Sequence, residues 1–182
     1  MTGSSTGLRS LAELNDAPDD DRLRADLAAC CAAPAWVAAL TAGRPFAGVA
    51  ELFTASDAAI AALSEADLAT ALAAHPRIGA GPTGDQPTGR DGEWSRQEQA
   101  GMSAAGAELR AELVAANLAY EQRFGHVYLV CATGRSAEEL LAICRSRLDN
   151  ERATERAVVL AELAKISRIR LAKLLGIEGD SE

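Results

Sequence analysis

Alanine dominates the apolar part of this 182-residue chain and restricts it to one class of fold. There are 40 alanines, whereas Trp, Tyr and Phe number only 2, 2 and 3. Alanine has the highest helix propensity and little side-chain volume, so such a chain gains a core by packing helices closely. We therefore predict an all-α fold. On length it should form a single compact multi-helix domain over residues 8–176, between disordered termini at 1–7 and 177–182.

Capping residues and apolar spacing divide the chain into helices. Acidic residues at Asp19–Asp21 suit the positive end of a helix dipole, and Pro34 suits the first turn of the next helix. Ser64 and Ser136 are each followed three residues later by an acid, which is typical of a helix start. The predicted helices begin near residues 19, 34, 46, 56, 64, 95, 109, 136 and 150, with a break between Thr54 and Ser56.

Two segments interrupt the helical pattern. Between Pro76 and Trp94 the chain is rich in Gly and Pro, and loops longer than about 12–15 residues in a compact domain are usually functional or disordered. We interpret this stretch as an active-site loop. The run His126–Cys131 is the only β-like one, so we expect a single extended segment buried between helices.

Charge and cysteine usage exclude several classes of partner. With 18 basic and 26 acidic residues the formal net charge is −8, which disfavours binding to nucleic acid or to an anionic membrane. No apolar run is long enough to span a bilayer, and residues 1–7 lack a secretory signal pattern, which favours the cytoplasm. The four cysteines lack metal-site spacing, so we expect no metal and buried, reduced thiols.

His75 is the first candidate for chemistry. It lies at the end of a predicted helix, immediately before Pro76 and at the mouth of the Gly-rich loop. There the ring would face partly open space, and the negative helix end can stabilise an imidazolium. An ordinary pKa of about 6.5 suits proton transfer near neutral pH. The alternative is a structural histidine.

Two further candidates lie far from His75 in the chain. Ser95 and Glu98 fit a capping box, and the same helix start could bind an anionic or carbonyl-rich ligand. Arg170 lies one turn from both Ile166 and Leu174, on the apolar face of the last helix, whereas Arg168 is offset and should be solvated. An arginine on a core face needs a carboxylate or a ligand, so an internal ion pair is the alternative.

Six short motifs occur in a fixed order along the chain: His75-Pro76-Arg77-Ile78-Gly79, Ser95-x-x-Glu98-Gln99-Ala100-Gly101, Tyr120-Glu121-x-Arg123-Phe124-Gly125, Gly134-Arg135-Ser136, Asn150-Glu151 and Lys165-Ile166-x-x-Ile169-Arg170-Leu171. Taken in this order, the motifs resemble those of the OHCU decarboxylases, which act on 2-oxo-4-hydroxy-4-carboxy-5-ureidoimidazoline (OHCU) in urate breakdown. The resemblance extends from about Leu11 to Leu175.

The resemblance implies an all-α homodimer that decarboxylates its small-molecule substrate, a ureidoimidazoline, to (S)-allantoin without a cofactor. It makes His75 the catalytic acid, with Glu98 and Arg170 also in the catalytic set. The remaining residues are those implied to bind substrate, the last five of them partly through their backbone: Pro76, Ser95, Gln99, Tyr128, Leu129, Val130, Cys131 and Ala132.

One departure from the family pattern leaves other functions open. The family usually has an aromatic residue, Pro and Phe after Phe-Gly, where this chain has His126, Val127 and Tyr128. His126 is either a packing variant or a sign of a changed substrate. The alternatives are therefore a decarboxylase or hydrolase of a related ureido or imidazole compound, and a non-catalytic helical interaction module.

Overall fold

A computed structural model describes residues 10–79, 93, 94, 97 and 106–177. Within those residues the chain is helical without a β-strand, so the all-α prediction is confirmed. The predicted disordered N-terminus and most of the Gly/Pro-rich loop lie outside the described residues. The helices are α1 Leu11–Asp16, α2 Asp21–Cys30, α3 Pro34–Ala42, α4 Val49–Ala61, α5 Glu65–Ala73, α6 Ala107–Phe124, α7 Ala137–Arg147 and α8 Arg152–Leu174.

The chain divides into two compact units. Unit 1 comprises the residues up to Asp67 together with those from Ala164 onward, and unit 2 comprises Leu68–Leu163. The predicted single domain over residues 8–176 stays a prediction. None of the described helices alone has the length and apolar content to cross a bilayer, although α2 and α3, bent by 119°, pass that test as a pair.

Unit 1 is built on close helix packing around a buried tryptophan. Helix α3 packs against both α2 and α4. It begins at Pro34 and is followed by Gly43, as predicted. Trp36 is fully buried, and its Nε1 donates to Ser56 Oγ at 3.1 Å. The buried indole N–H therefore has the polar partner that it needs.

The predicted break between Thr54 and Ser56 is wrong. Helix α4 continues without interruption from Val49 to Ala61, and Ser56 is buried on its inner face. The hydroxyl accepts from Trp36 instead of capping a new helix. Helix α1, which follows the N-cap Ser10, was not predicted because six residues are too few to show a clear apolar period.

Unit 2 contains the predicted extended segment. Helix α7 begins with the predicted capping box of Ser136 and Glu139 and packs against α6. Residues 126–132 are neither helix nor strand, and most of them are buried. The prediction of a buried non-helical segment is therefore confirmed, and its extended conformation stays a prediction. The shared core of this unit includes Ile78, Leu113, Tyr120, Phe124, Tyr128, Val130, Leu140 and Cys144.

A buried ion pair lies in unit 2 between the end of α7 and the beginning of α8. Arg147 is 5% exposed and Glu155 is 1% exposed. Arg147 Nη2 lies 2.5 Å from Glu155 Oε1, which also accepts from the Tyr120 hydroxyl. Asn150 Nδ2 donates to the other carboxylate oxygen at 2.7 Å, and Arg147 Nη1 donates to Leu129 O at 2.8 Å. The charges are thus paired and hydrogen-bonded, as burial requires.

Three of the four cysteines are buried, which agrees with the prediction of small core residues. All four thiols are free; Cys30, Cys31 and Cys144 are buried and Cys131 is half-buried. Burial raises the pKa of Cys144 to about 11. This thiol is therefore protonated at neutral pH.

We expect Glu155→Gln to destabilise the protein by about 3–5 kcal/mol, because it leaves the buried Arg147 charge without a counter-ion. Urea unfolding followed by circular dichroism measures the change. The control is Glu112→Gln, which breaks the exposed pair with Arg145 (N–O 2.7 Å) and should cost about 0–1 kcal/mol. Equal effects of the two substitutions would contradict the assigned role of the buried pair.

The same pair predicts a pH dependence. Burial alone would raise the pKa of Glu155, but hydrogen bonds from Arg147, Tyr120 and Asn150 outweigh burial and hold the pKa below its ordinary value of 4.5. A lowered carboxyl pKa stabilises the fold above the unfolded-state pKa, and this stability is lost as pH falls through the folded-state pKa. The stability difference between the parent and Glu155→Gln should therefore be constant above about pH 5. It should shrink in more acidic urea titrations, and a difference independent of pH would refute the assignment.

Candidate active site

His75 lies just beyond the end of helix α5. Ser64 Oγ accepts from the Asp67 amide at 3.1 Å at the start of this helix, as predicted. At the other end, the amides of Ala74 and His75 donate to Ala71 O and Leu72 O at 3.2 and 3.0 Å. The helix stops here because Pro76 disfavours a helical residue before it. His75 is 9% exposed, so the residue is more buried than its place at the mouth of a loop suggested.

The residues after His75 are tied to helix α6. Arg77 Nε and Nη2 donate to the two carboxylate oxygens of Glu121 at 2.6 and 2.7 Å. Asn117 Nδ2 donates to Ile78 O at 2.7 Å, and the Ile78 side chain belongs to the core of unit 2. The hydrogen bonds and charge of Glu121 raise the pKa of Arg77 further above neutrality. The segment is thus held by an ion pair, a hydrogen bond and apolar packing.

The second predicted group of site residues, Ser95, Glu98 and Gln99, lies outside the described residues, as does the predicted Gly/Pro-rich loop over 80–92. Of their neighbours, Trp94 is helical and buried, and Gln97 is helical and exposed. The substrate contacts of Ser95, Glu98 and Gln99 stay predictions.

Arg170 is buried on helix α8, as its place on the apolar face predicted. It is 3% exposed, and Ser167, one turn before it, is fully buried. Burial raises the pKa of the Cys31 thiol, and the Arg170 charge partly opposes that rise. Arg168 is exposed, pairs with Asp57 and lies 5.5 Å above the Phe53 ring. The predicted contrast between the two arginines is confirmed.

The predicted substrate-contact segment is anchored by three side chains. Leu129 O accepts from Arg147, and the Cys131 amide donates to Glu162 Oε2 at 2.8 Å. Cys131 O accepts from Arg135 Nε at 3.1 Å. Within the part of the chain that the structure describes, no hydrogen bond engages the amides of Leu129 and Val130, although both residues are buried. The segment therefore carries backbone donors that a ligand could use.

His126 packs against aromatic rings. Its ring centroid lies 5.6 Å from that of Tyr120 and 6.3 Å from that of Phe124. Its Nδ1 lies 3.0 Å from Val127 O. These contacts favour the interpretation of His126 as a packing variant over a changed substrate.

The sequence patterns did not reveal several buried polar residues that hold the candidate site residues in place. Asn117, Arg147, Glu155 and Glu162 are all buried polar residues on helices. Their types are common on solvated helix faces, and the apolar period of a single helix does not reveal which polar residue meets another helix. Glu121 belongs to the Tyr120-Glu121 motif, but that motif does not indicate that Glu121 pairs with Arg77.

His75 and the 128–132 segment belong to unit 2, and Arg170 belongs to unit 1. Their convergence on one cavity stays a prediction. The buried guanidinium of Arg170 and the backbone donors of Leu129 and Val130 are each suited to bind a small anionic molecule. A buried imidazole beside an ordered loop segment is suited to move a proton.

Comparisons with known proteins agree on one family. A family model described as OHCU decarboxylase matches residues 16–172. The 2-oxo-4-hydroxy-4-carboxy-5-ureidoimidazoline decarboxylase of Amia calva is 33% identical over 144 residues, covering 78% of this chain and 81% of that protein. The uric acid degradation bifunctional protein TTL of Arabidopsis thaliana is 28% identical over 149 residues, covering 80% of this chain. This chain spans only 45% of the length of that bifunctional protein.

A solved structure supports the same assignment. The crystal structure of an OHCU decarboxylase in the presence of (S)-allantoin matches with a TM-score of 0.69 at 26% identity, covering 83% of this chain and 97% of that one. The family model covers all of the motifs from His75 to Arg170. The chain belongs to the OHCU decarboxylase family.

Proposed function

We propose that this protein is a carboxy-lyase that decarboxylates OHCU stereospecifically to (S)-allantoin in urate breakdown, without a cofactor. The observation that carries the proposal is the match of residues 16–172 to the OHCU decarboxylase family, with the motifs of His75, Ser95-x-x-Glu98 and Arg170 all present. The structural relative crystallised with (S)-allantoin adds the expected product class.

The proposed substrate supplies its own electron sink. When the bond from the ring carbon to the carboxylate breaks, CO2 leaves and the electron pair stays with the ring. The conjugated C=N and carbonyl groups of the ring accept that pair, so the reaction itself calls for neither a Schiff base nor a metal. The protein must then bind the ring, stabilise the developing negative charge and control one proton.

Three groups divide these tasks in the proposed mechanism. Arg170 and the backbone donors of residues 128–132 bind the ring and its developing charge, and one such preorganised donor is typically worth about 3–4 kcal/mol in the transition state. Glu98 orients the ureido arm, with Ser95, Gln99 and Pro76 beside the substrate. His75 accepts the proton of the hydroxyl group or donates a proton to the new carbanion, an effect of about 10²–10⁴-fold. Proton delivery to one face accounts for a single enantiomer.

The proposal also covers the partners, the oligomeric state and the location of the enzyme. Its partner is a small ureidoimidazoline, and the family resemblance suggests a homodimer. A net charge of −8 disfavours a nucleic-acid or anionic-membrane partner, and the cytoplasm is the proposed location.

We expect the protein to change the stereochemical course of OHCU decay. Freshly made OHCU decays spontaneously to racemic allantoin, so the circular dichroism signal should vanish without protein. With the protein, decay should be faster and a persistent signal of (S)-allantoin should remain. Close ureido and imidazole analogues serve as controls for substrate choice. A racemic product at an unchanged rate would refute the proposed function and favour the non-catalytic interaction module.

Substitution of each proposed site residue can be compared with substitution of the same residue type elsewhere in the chain. We expect His75→Gln to lower kcat at least about 100-fold, because the proton donor is lost. His126→Gln should stay within a few-fold of the parent, since His126 packs against Tyr120 and Phe124.

We expect a comparable contrast between the two arginines. Arg170→Lys should lose most activity, because an ammonium group cannot reproduce the forked donors of a guanidinium. Arg168→Lys changes an exposed pair with Asp57 and should be nearly silent. Initial rates of (S)-allantoin formation measure all four variants. A larger loss of activity in His126→Gln than in His75→Gln, or in Arg168→Lys than in Arg170→Lys, would contradict the assigned roles.

A further inference from the structure

We propose that the Arg77–Glu121 ion pair, together with Asn117, positions His75 for proton transfer. None of the three residues needs to touch the substrate for this role. The inference rests on the proposed function, because it takes His75 as the group that transfers the proton.

The contacts fix the chain on both sides of His75. On one side the His75 amide donates to Leu72 O at 3.0 Å, which joins it to the last turn of α5. On the other side the ring of Pro76 restricts its own φ, and Arg77 and Ile78 are bound to helix α6. Because Cα atoms two residues apart are separated by at most about 7 Å, a shift of Arg77 is transmitted to His75.

The two anchors come from one face of helix α6. Asn117 and Glu121 are four residues apart, so their side chains lie one above the other on the helix. Glu121 binds the Arg77 side chain through both oxygens, and Asn117 binds the backbone carbonyl of Ile78. A bidentate arginine–carboxylate pair fixes direction as well as distance. Two adjacent residues are therefore held in register with α6.

Neither anchor is well suited to stabilising the fold. The side chain of Arg77 is 55% exposed and that of Glu121 is 19% exposed, so solvent screens the pair and limits its contribution to stability. Asn117 is 3% exposed, yet its Oδ1 has no hydrogen-bond partner within the described residues. A half-satisfied buried amide is a cost to the fold. The arrangement is better explained by control of the backbone after His75 than by stability.

The test uses Arg77→Ala, Glu121→Ala and the double variant in the 182-residue chain. Each single variant should lower kcat about tenfold while KM stays within about twofold, because a misplacement of about 1 Å is enough to slow catalysis strongly. The double variant should be no slower than either single variant, since each substitution removes the same contact. Thermal midpoints should stay within about 3 °C of the parent.

The chain offers a matched control on the same helix. Glu112 of α6 pairs with Arg145 at 2.7 Å, and both side chains are exposed. Glu112→Ala, Arg145→Ala and their double variant should leave kcat within twofold of the parent. The proposal is overturned by equal losses in this control set, by additive losses in the Arg77–Glu121 set, or by single variants within twofold of the parent. A much larger loss for Arg77→Ala than for Glu121→Ala would make Arg77 a substrate ligand, which also overturns it.

A second measurement does not depend on turnover. The chain has only two histidines, so imidazole proton resonances at fixed pH can be assigned with His75→Gln. The His75 resonances should shift in Glu121→Ala and Arg77→Ala and stay unchanged in Glu112→Ala. Unchanged His75 resonances in all three variants would refute the positioning role even if the parent is active. If the parent fails to decarboxylate OHCU while the resonances shift as stated, the proposed function fails and the anchoring of His75 stands.

Discussion

The buried guanidinium of Arg147 is the charge around which unit 2 is arranged. A charge with 5% exposure must be compensated by a counter-ion and by hydrogen bonds. Glu155 supplies the carboxylate, and Leu129 supplies a backbone carbonyl. Helices α7 and α8 and the extended segment must therefore meet at one point, and the Tyr120 hydroxyl adds α6 to that point through Glu155. An alternative packing that loses Glu155 would leave the guanidinium charge unpaired, and one that loses Leu129 O would leave an Arg147 donor without this acceptor.

Ion pairs and hydrogen bonds join several of the motifs that identify the family. Arg77 of the first motif binds Glu121 of the third. Arg123, also in the third, donates to Asn150 O at 2.9 Å, and the Asn150 side chain binds Glu155. Arg135 holds Cys131 O. Residues that form a sequence signature thus serve both the proposed chemistry and the geometry that supports it.

Contacts that hold the proposed site residues in a fixed geometry suit the proposed reaction. A substrate that carries its own electron sink asks the protein for placement and for a controlled proton, and placement requires a rigid surrounding. The extended segment is fixed by Arg147, Arg135 and Glu162, while the amides of Leu129 and Val130 make no hydrogen bond within the described residues. The carbonyls of Leu129 and Cys131 are thus fixed by side chains, and the neighbouring amides of Leu129 and Val130 are suited to donate hydrogen bonds to the ring of a ligand.

The sequence by itself determined the helical class, most helix starts, the buried non-helical segment and the buried face that carries Arg170, because helix propensity, capping and apolar period are local properties. It failed at Ser56, where a distant indole uses the hydroxyl expected to cap a helix. Tertiary structure alone decided that Arg77 meets Glu121, that Asn117 holds Ile78 O and that Arg147 meets Glu155. Such pairings join residues 8 to 44 positions apart, and polar residues carry no local sign of which distant partner they will meet.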